Sequence, residues 1–355
     1  MYPRIVINSQ GLYENARLLL ELCQSRGVRL QAVVKALAGQ ARLIQGLADL
    51  GVTNFGDVLL ADIACYRQVP GEKWLIRLPM LSELAQLVTL TDGCLVSEEA
   101  ALLDLDRAAG AKGRIYQVLL MAELGDLREG CLEPELLELA RLAESLPHLR
   151  LKGLGANLSC YGEILPDDAN MAELIRLTEG VEALIGRELD IVSGGNSSSY
   201  LLLAQGRLPR RVNELRMGES WLLGNVPCHG QAIPGYQRHN FRVEAEIIEL
   251  KEKPSLPYGS QGGSDSFGGH QDFPDLGIRR RALLALGKQD LYISGLMPLA
   301  PGVTILGGSS NCLICDVTGA EGDLRVGARL SFGCDYAALA SAMAAPHLEK
   351  VIEQP

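Results

Sequence analysis

The feature that most constrains this chain is a rhythm. Eight short apolar segments recur between residues 30 and 217: 30–35 ("LQAVVK"), 54–58 ("NFGDV"), 73–79 ("KWLIRLP"), 93–97 ("GCLVS"), 114–121 ("RIYQVLLM"), 149–157 ("LRLKGLGAN"), 189–193 ("LDIVS") and 213–217 ("NELRM"). Each but the last is followed by a stretch with helical periodicity, such as "QARLIQGLADLG" or "EPELLELARLAESL". Strands alternating with helices predict parallel pairing, and eight such units predict a closed β/α (TIM-like) barrel over 9–225. An open doubly wound sheet is the alternative, but no GxGxxG opens a helix after an early strand.

Beyond residue 225 the period changes. "FRVEAEIIELKEKP" alternates every second residue at Phe241, Val243, Ala245 and Ile247. "RALLALG", "VTILGG", "NCLICDV" and "ARLSFG" read as further strands. Helical periodicity returns in "YAALASAMAAPHLEKVIE". A mostly β domain over 226–355 follows, to which "YPRIVIN" at residues 1–8 adds a strand. The glycine-rich segment 258–275 reads as a flexible surface loop, with a substrate lid as the alternative.

Composition narrows the function. With 47 % apolar and 21 % charged residues the 355-residue chain is globular. A net charge of −10 argues against a nucleic-acid surface. The one dense basic run, Arg279-Arg280-Arg281, reads as a solvated strand edge. No apolar stretch is long enough to span a bilayer, and the start lacks a signal-peptide pattern. The nine scattered cysteines then suit reduced thiols in the cytoplasm. Cys312 and Cys315 form a CxxC, but on a strand they face opposite sides. Five histidines without HxH or HExxH spacing give no metal site.

In a β/α barrel, reactive groups come from the C-terminal ends of the strands. Lys35 ends the first. "GDLREG" follows the fifth, and Asn157, Cys160 and Tyr161 follow the sixth. "SGGNSSS" follows the seventh and "RMGES" ends the eighth. Gly194, Gly195 and Gly218 permit close backbone approach, and Ser197 to Ser199 offer hydroxyls where phosphates bind in barrels. Taken alone, Lys35 could snorkel to solvent and the serines could only cap a helix. Together at matching strand ends, they point to a lysine facing a phosphate-anchored pyridoxal 5'-phosphate (PLP).

"VVKALAG", "GDLREG", "GANLSCYG", "SGGNSSSY" and "LRMGE", with the weaker "GKQD" and "GGSSNCLICDV", resemble the alanine racemase N-terminal-domain superfamily of fold-type III PLP enzymes. The match is nearest to its alanine/ornithine racemase group. This resemblance implies a PLP-dependent amino-acid racemase acting on ornithine, alanine, lysine or a serine-like substrate. It implies Lys35 as Schiff-base lysine and base on one face of Cα, and Arg216 at the ring nitrogen. Ser197 and the backbone of Gly218 and Glu219 would take the phosphate. Ser193, Asn196 and Asn157 complete the cofactor-binding set, Asn157 standing where alanine racemases carry a histidine. Arg128, Tyr161 and Asn311 would contact substrate. The chain departs from the pattern at the second base: where a tyrosine follows a glycine, "LGKQDLY" offers Lys288, with Cys312 as the other candidate. Asn311 replaces an expected aspartate, which weakens the case for ornithine. A homodimer with shared active sites is implied. The alternatives are a PLP homeostasis protein without turnover, disfavoured by the second domain, and another PLP reaction. Arg216 disfavours the latter, because an arginine does not protonate the ring.

Overall fold

A computed structural model describes residues 2–260, 262–264, 267–269 and 272–353. They fall into two compact units, Gly11–Arg238 and the residues up to Gln10 together with those from His239 onward.

Eight parallel strands close the first unit into a barrel: β2 (Arg29–Val33), β3 (Asn54–Asp57), β4 (Glu72–Leu75), β5 (Gly93–Val96), β6 (Tyr116–Ala122), β7 (Leu149–Ala156), β8 (Ile191–Ser193) and β9 (Glu214–Met217). β9 returns to β2 with Arg29 opposite Glu214. The barrel predicted from the strand rhythm is the observed fold. Inside it Trp74, Leu95, Leu119, Met121 and Ile191 form an apolar cluster. A polar layer lies nearer the strand starts. Arg29 donates to Glu214 from Nε (2.9 Å), Asn54 Nδ2 donates to the same carboxylate (3.1 Å), and Gln31 donates to Asn54 (3.0 Å).

Three local expectations differ. β2 stops at Val33, and Lys35 opens a 3-10 turn, Lys35–Leu37. The chain reverses there through Ala38 and Gly39, both in the left-handed region (φ +46° and +68°). β4 stops at Leu75, because Arg77 leaves the ladder to bond Val58 O (2.7 Å) and both oxygens of Glu83. The last strand does have a helix, the short Glu219–Leu223.

The second unit is a mainly antiparallel eight-stranded sheet. β1 (Arg4–Asn8) pairs with β12 (Phe241–Pro254), while the small β10 (Asn225–Val226) and β11 (Gln231–Ala232) hairpin belongs to the barrel unit. The main path runs β14 (Leu296–Pro298), β17 (Arg329–Cys334), β12, β13 (Ile278–Leu284), β16 (Leu313–Asp316) and β15 (Thr304–Gly308). The helix expected through "PHLEKVIE" ends at Ala344, and β18 (Glu349–Glu353) runs parallel to β1. Pro346 stops the helix, and the pairing then sets the conformation. Arg279 to Arg281 lie mid-sheet on β13, not at an edge. Arg279 pairs with Asp316 (2.7 Å), Arg280 reaches Leu324 O (2.9 Å) and Arg281 reaches Ser255 O (3.0 Å). The 258–275 segment lies partly outside the described residues. No helix among the described residues is long and apolar enough to cross a membrane.

Candidate active site

The C-terminal ends of β7, β8 and β9 converge on Arg216. It is 4 % exposed, donates from NH1 to Ser193 Oγ (2.5 Å) and from NH2 to Ala156 O (2.5 Å). Gly155 makes room for it: a Cβ there would lie 3.0 Å from Arg216 NH1 and 2.6 Å from Leu119 Cδ2. Burial lowers the guanidinium from the usual arginine range, against the charges of Glu214 and Glu129.

Next to it is a turn of serines. Ser197 Oγ accepts from the backbone N–H of Gly218 (3.0 Å) and Ser220 (3.3 Å). Asn196 caps the Ser197–Ser199 turn by accepting from Ser198 N (2.8 Å). Ser198 Oγ and Ser220 Oγ are buried with no hydrogen-bond partner among the described residues. Buried hydroxyls are normally paired. Two unpartnered ones beside Ser197 make a cradle suited to an anion. The Glu219 side chain accepts from Asn225 (3.0 Å).

The adjoining part of the rim is built from the loops after β6 and β7, β7 being paired with β8. Lys35 is exposed on its turn, and its charge reaches Cys160. Arg128 donates from NH1 to Cys160 Sγ (2.8 Å) and from Nε and NH2 to both oxygens of Glu129. Burial pushes the Cys160 thiol up, while Arg128 and Lys35 pull it the other way. Asn157 donates to Glu129 (3.0 Å) and accepts from Asn196 (2.8 Å). Tyr161 is 73 % exposed.

Two acidic residues in "GDLREG" went unassigned in the sequence. Besides Glu129, buried Asp126 accepts the backbone N–H of Cys160, Tyr161 and Gly162 at 3.1–3.2 Å. Asp57 was also unmarked. It ends β3, and its Oδ2 has no hydrogen-bond partner among the described residues. Burial pushes it up to about 7, with the Val58 N–H on Oδ1 (2.7 Å) easing the shift and Asp62 adding to it.

Lys288, Asn311 and Cys312 lie in the other unit, where they gather locally. Lys288 N donates to Ser309 O and Ser309 N to Cys312 O (both 2.8 Å). A Cβ on Gly287 would lie 2.3 Å from Ser310 O. The Lys288 ammonium sits over the Phe267 ring at 4.5 Å. Asn311 Oδ1 accepts from Ser309 Oγ (3.3 Å). Cys315 is buried on β16 and Cys312 is half-buried, and neither forms a disulfide.

Residues 7–225 match the family described as alanine racemase, N-terminal domain. The chain belongs to that family. This family member is 38 % identical over 351 residues to the ornithine racemase of Acetoanaerobium sticklandii, covering 99 % of both chains. It is 36 % identical over 356 residues to the lysine racemase of Thermotoga maritima, again covering 99 % of both. Its fold is similar to that of alanine racemase from Streptomyces coelicolor (TM-score 0.75, 21 % identity, 99 % and 98 % of the two chains). It is also similar to that of D-threonine aldolase from Filomicrobium marinum (TM-score 0.74, 17 % identity, 99 % and 91 %). At those identities the solved structures establish the fold alone, and racemase and aldolase share it.

Proposed function

We propose that this amino-acid racemase works with PLP held on Lys35 and interconverts the enantiomers of a basic amino acid. What supports the reading is the placement of three features after adjacent barrel strands: Lys35 just beyond β2, which pairs with β9, buried Arg216 on β9, and the Ser197 turn after β8 with its two unpartnered hydroxyls. These residues fit PLP. The hydroxyls of Ser197, Ser198 and Ser220 would hold the phosphate, with Ser197 Oγ fixed there by the Gly218 and Ser220 N–H groups, Arg216 would face the ring nitrogen, and Asn157 would lie along the ring. Ser193, Asn196 and Glu219 support that set through the contacts described above. When bound, PLP supplies the electron sink that makes a substrate Cα–H acidic.

The protein's own part is proton handling. Lys35 Nζ takes or returns the Cα proton on one face. Arg128, kept cationic by Glu129 despite its partial burial, takes the substrate carboxylate. Arg216 donates hydrogen bonds but no proton, which favours plain removal and return of a proton over reactions that need a stronger sink. Lys288 or Cys312 of a second copy in a homodimer would serve the opposite face, with Asn311 and Tyr161 contacting the substrate's distal end. The basic substrate class rests on the ornithine and lysine racemases among the relatives. The localisation we infer is cytoplasmic.

A panel of L- and D-amino acids tests the substrate class by polarimetry or chiral chromatography. Ornithine or lysine should turn over fastest. Turnover of alanine alone would move the assignment to a small substrate. In Lys288→Ala or Cys312→Ala, the variant that lacks the second base should lose exchange from one enantiomer much more than from the other.

A further inference from the structure

Neighbouring residues in a chain usually point apart, yet Arg128 and Glu129 form a two-pronged pair. The backbone explains this. Leu127 has φ +55° and Gly130 φ +135°, and a Cβ on Gly130 would lie 2.7 Å from Ala122 C and Glu123 N. The loop is pinned back on the end of β6, with Cys131 N donating to Met121 O (2.9 Å) and Glu123 N to Cys131 O (3.0 Å). Positive φ in a residue such as Leu127 is costly and persists where surrounding contacts enforce it. On this loop the carboxylate is the more buried partner of the pair. The Glu129 side chain is 9 % exposed, against 38 % for Arg128.

We propose that Glu129 is a positioning residue that sets Arg128 on one side and, through Asn157 and Asn196, the serine turn on the other. An ionised carboxylate only accepts hydrogen bonds. It therefore requires Asn157 to turn its NH2 toward Glu129 (3.0 Å), leaving Oδ1 to accept from Asn196 Nδ2 (2.8 Å). Asn196 Nδ2 also donates to Leu158 O (2.7 Å), so its Oδ1 is left to accept from Ser198 N (2.8 Å). The series is thus anchored at both ends, by the Glu129 carboxylate at its head and by Leu158 O and Ser198 N at the turn, and both ends require the same direction. The same carboxylate, through Nε and NH2, leaves the NH1 edge of Arg128 at Cys160. Arg128 pairing holds Glu129 below the ordinary carboxyl range despite its burial, so the acceptor-only form persists at neutral pH.

The inference deepens the racemase reading and rests on it for the roles of Arg128 and the serine turn. Glu129→Gln is the decisive variant, because an amide keeps the shape but has a single acceptor atom, so its NH2 must face a donor of either Arg128 or Asn157 and one of the two contacts is lost. Three readouts apply: the PLP dissociation constant from the cofactor's visible band, KM against kcat, and Cys160 alkylation by iodoacetamide in the apoprotein. The alkylation is read by peptide mass spectrometry relative to exposed Cys65. Glu129→Gln should raise KM for substrate by about tenfold or more and weaken PLP binding several-fold, with kcat changed less. The Cys160 to Cys65 rate ratio should shift several-fold, and Glu129→Asp should recover part of each effect. Wild-type values in Glu129→Gln would overturn the proposal. So would a parallel fall in Tm, kcat and affinity that Glu129→Asp does not relieve, which marks a merely structural residue. A wild-type protein that binds no PLP would sink the racemase reading, while the alkylation ratio would still decide whether Glu129 sets Arg128.

Discussion

At the ends of β8 and β9, polar groups are closed against one another by side chain and backbone within a buried shell: Arg216 on Ser193 and Ala156 O, Ser197 on the N–H groups of Gly218 and Ser220. At the ends of β6 and β7, the closing is done by charged side chains on half-exposed loops, with Leu127, Ser159 and Glu163 all at positive φ. The first arrangement is buried and hydrogen-bonded to backbone, and suits a group that stays. The second depends on a few ion pairs and turns, and suits a ligand that enters and leaves. On the function proposed above, one rim would divide the holding of a cofactor from the handling of a substrate.

That division can be broken. Arg216→Ala should be the most damaging change on the buried side. It leaves Ser193 Oγ and Ala156 O without their donor and opens a cavity, costing about 3 kcal/mol or more in denaturant unfolding. The comparable change on the loop side, Arg128→Ala, should cost far less stability but raise KM strongly. Equal stability losses at the two positions would erase the contrast.

Asp57 sharpens it through pH. Its folded pKa of about 7 lies above the ordinary aspartate value near 4. Below about pH 4 the group is protonated in both states and costs nothing. As pH rises from there through 7, the unfolded chain releases its proton first and stability falls. Asp57→Asn should therefore stabilise the protein by an amount that grows over pH 4–7 and levels off above, on the order of 2–4 kcal/mol. Thermal unfolding of both proteins at pH 4.5 and 8.5 checks this, and a gain equal at both pH values would refute it.

Ser197→Ala should cost about 1–2 kcal/mol, because two buried N–H groups lose their acceptor, and PLP should bind about tenfold more weakly. Calorimetric unfolding with a PLP titration measures both. The smallest effect belongs to the solvated outer face, where Arg176 bridges Glu133 and Glu173 (2.8 and 2.7 Å) on exposed helices. Arg176→Ala should leave the unfolding midpoint unchanged within error.

The barrel was legible because its signal is local and repeated. Each strand carries its own apolar run and each helix its own period, so one misplaced boundary, as at Arg77, leaves the count intact. Lys35, Ser197 and Arg216 were legible as positions because barrels display chemistry at strand ends. Glu129 and Asp126 were not, because their partners Asn157 and Cys160 lie 28 and 34 residues away and no spacing announces them. Asp57 stands at the end of β3, but no motif marks it and only its burial makes it unusual. "HLEKVIE" misled for a related reason. Its residues favour a helix, but the parallel partner Arg4–Asn8 stands at the other end of the chain.

The central claim is that Lys35 on its turn removes and returns a Cα proton with PLP. The most direct measurement is Cα deuterium uptake in D2O by the PLP-loaded protein, with L- and D-ornithine and L- and D-lysine, and with Lys35→Ala alongside. Uptake accompanied by inversion in the wild type, and lost in Lys35→Ala, is the predicted result. Exchange that persists without Lys35, or no exchange with any amino acid offered, would contradict it.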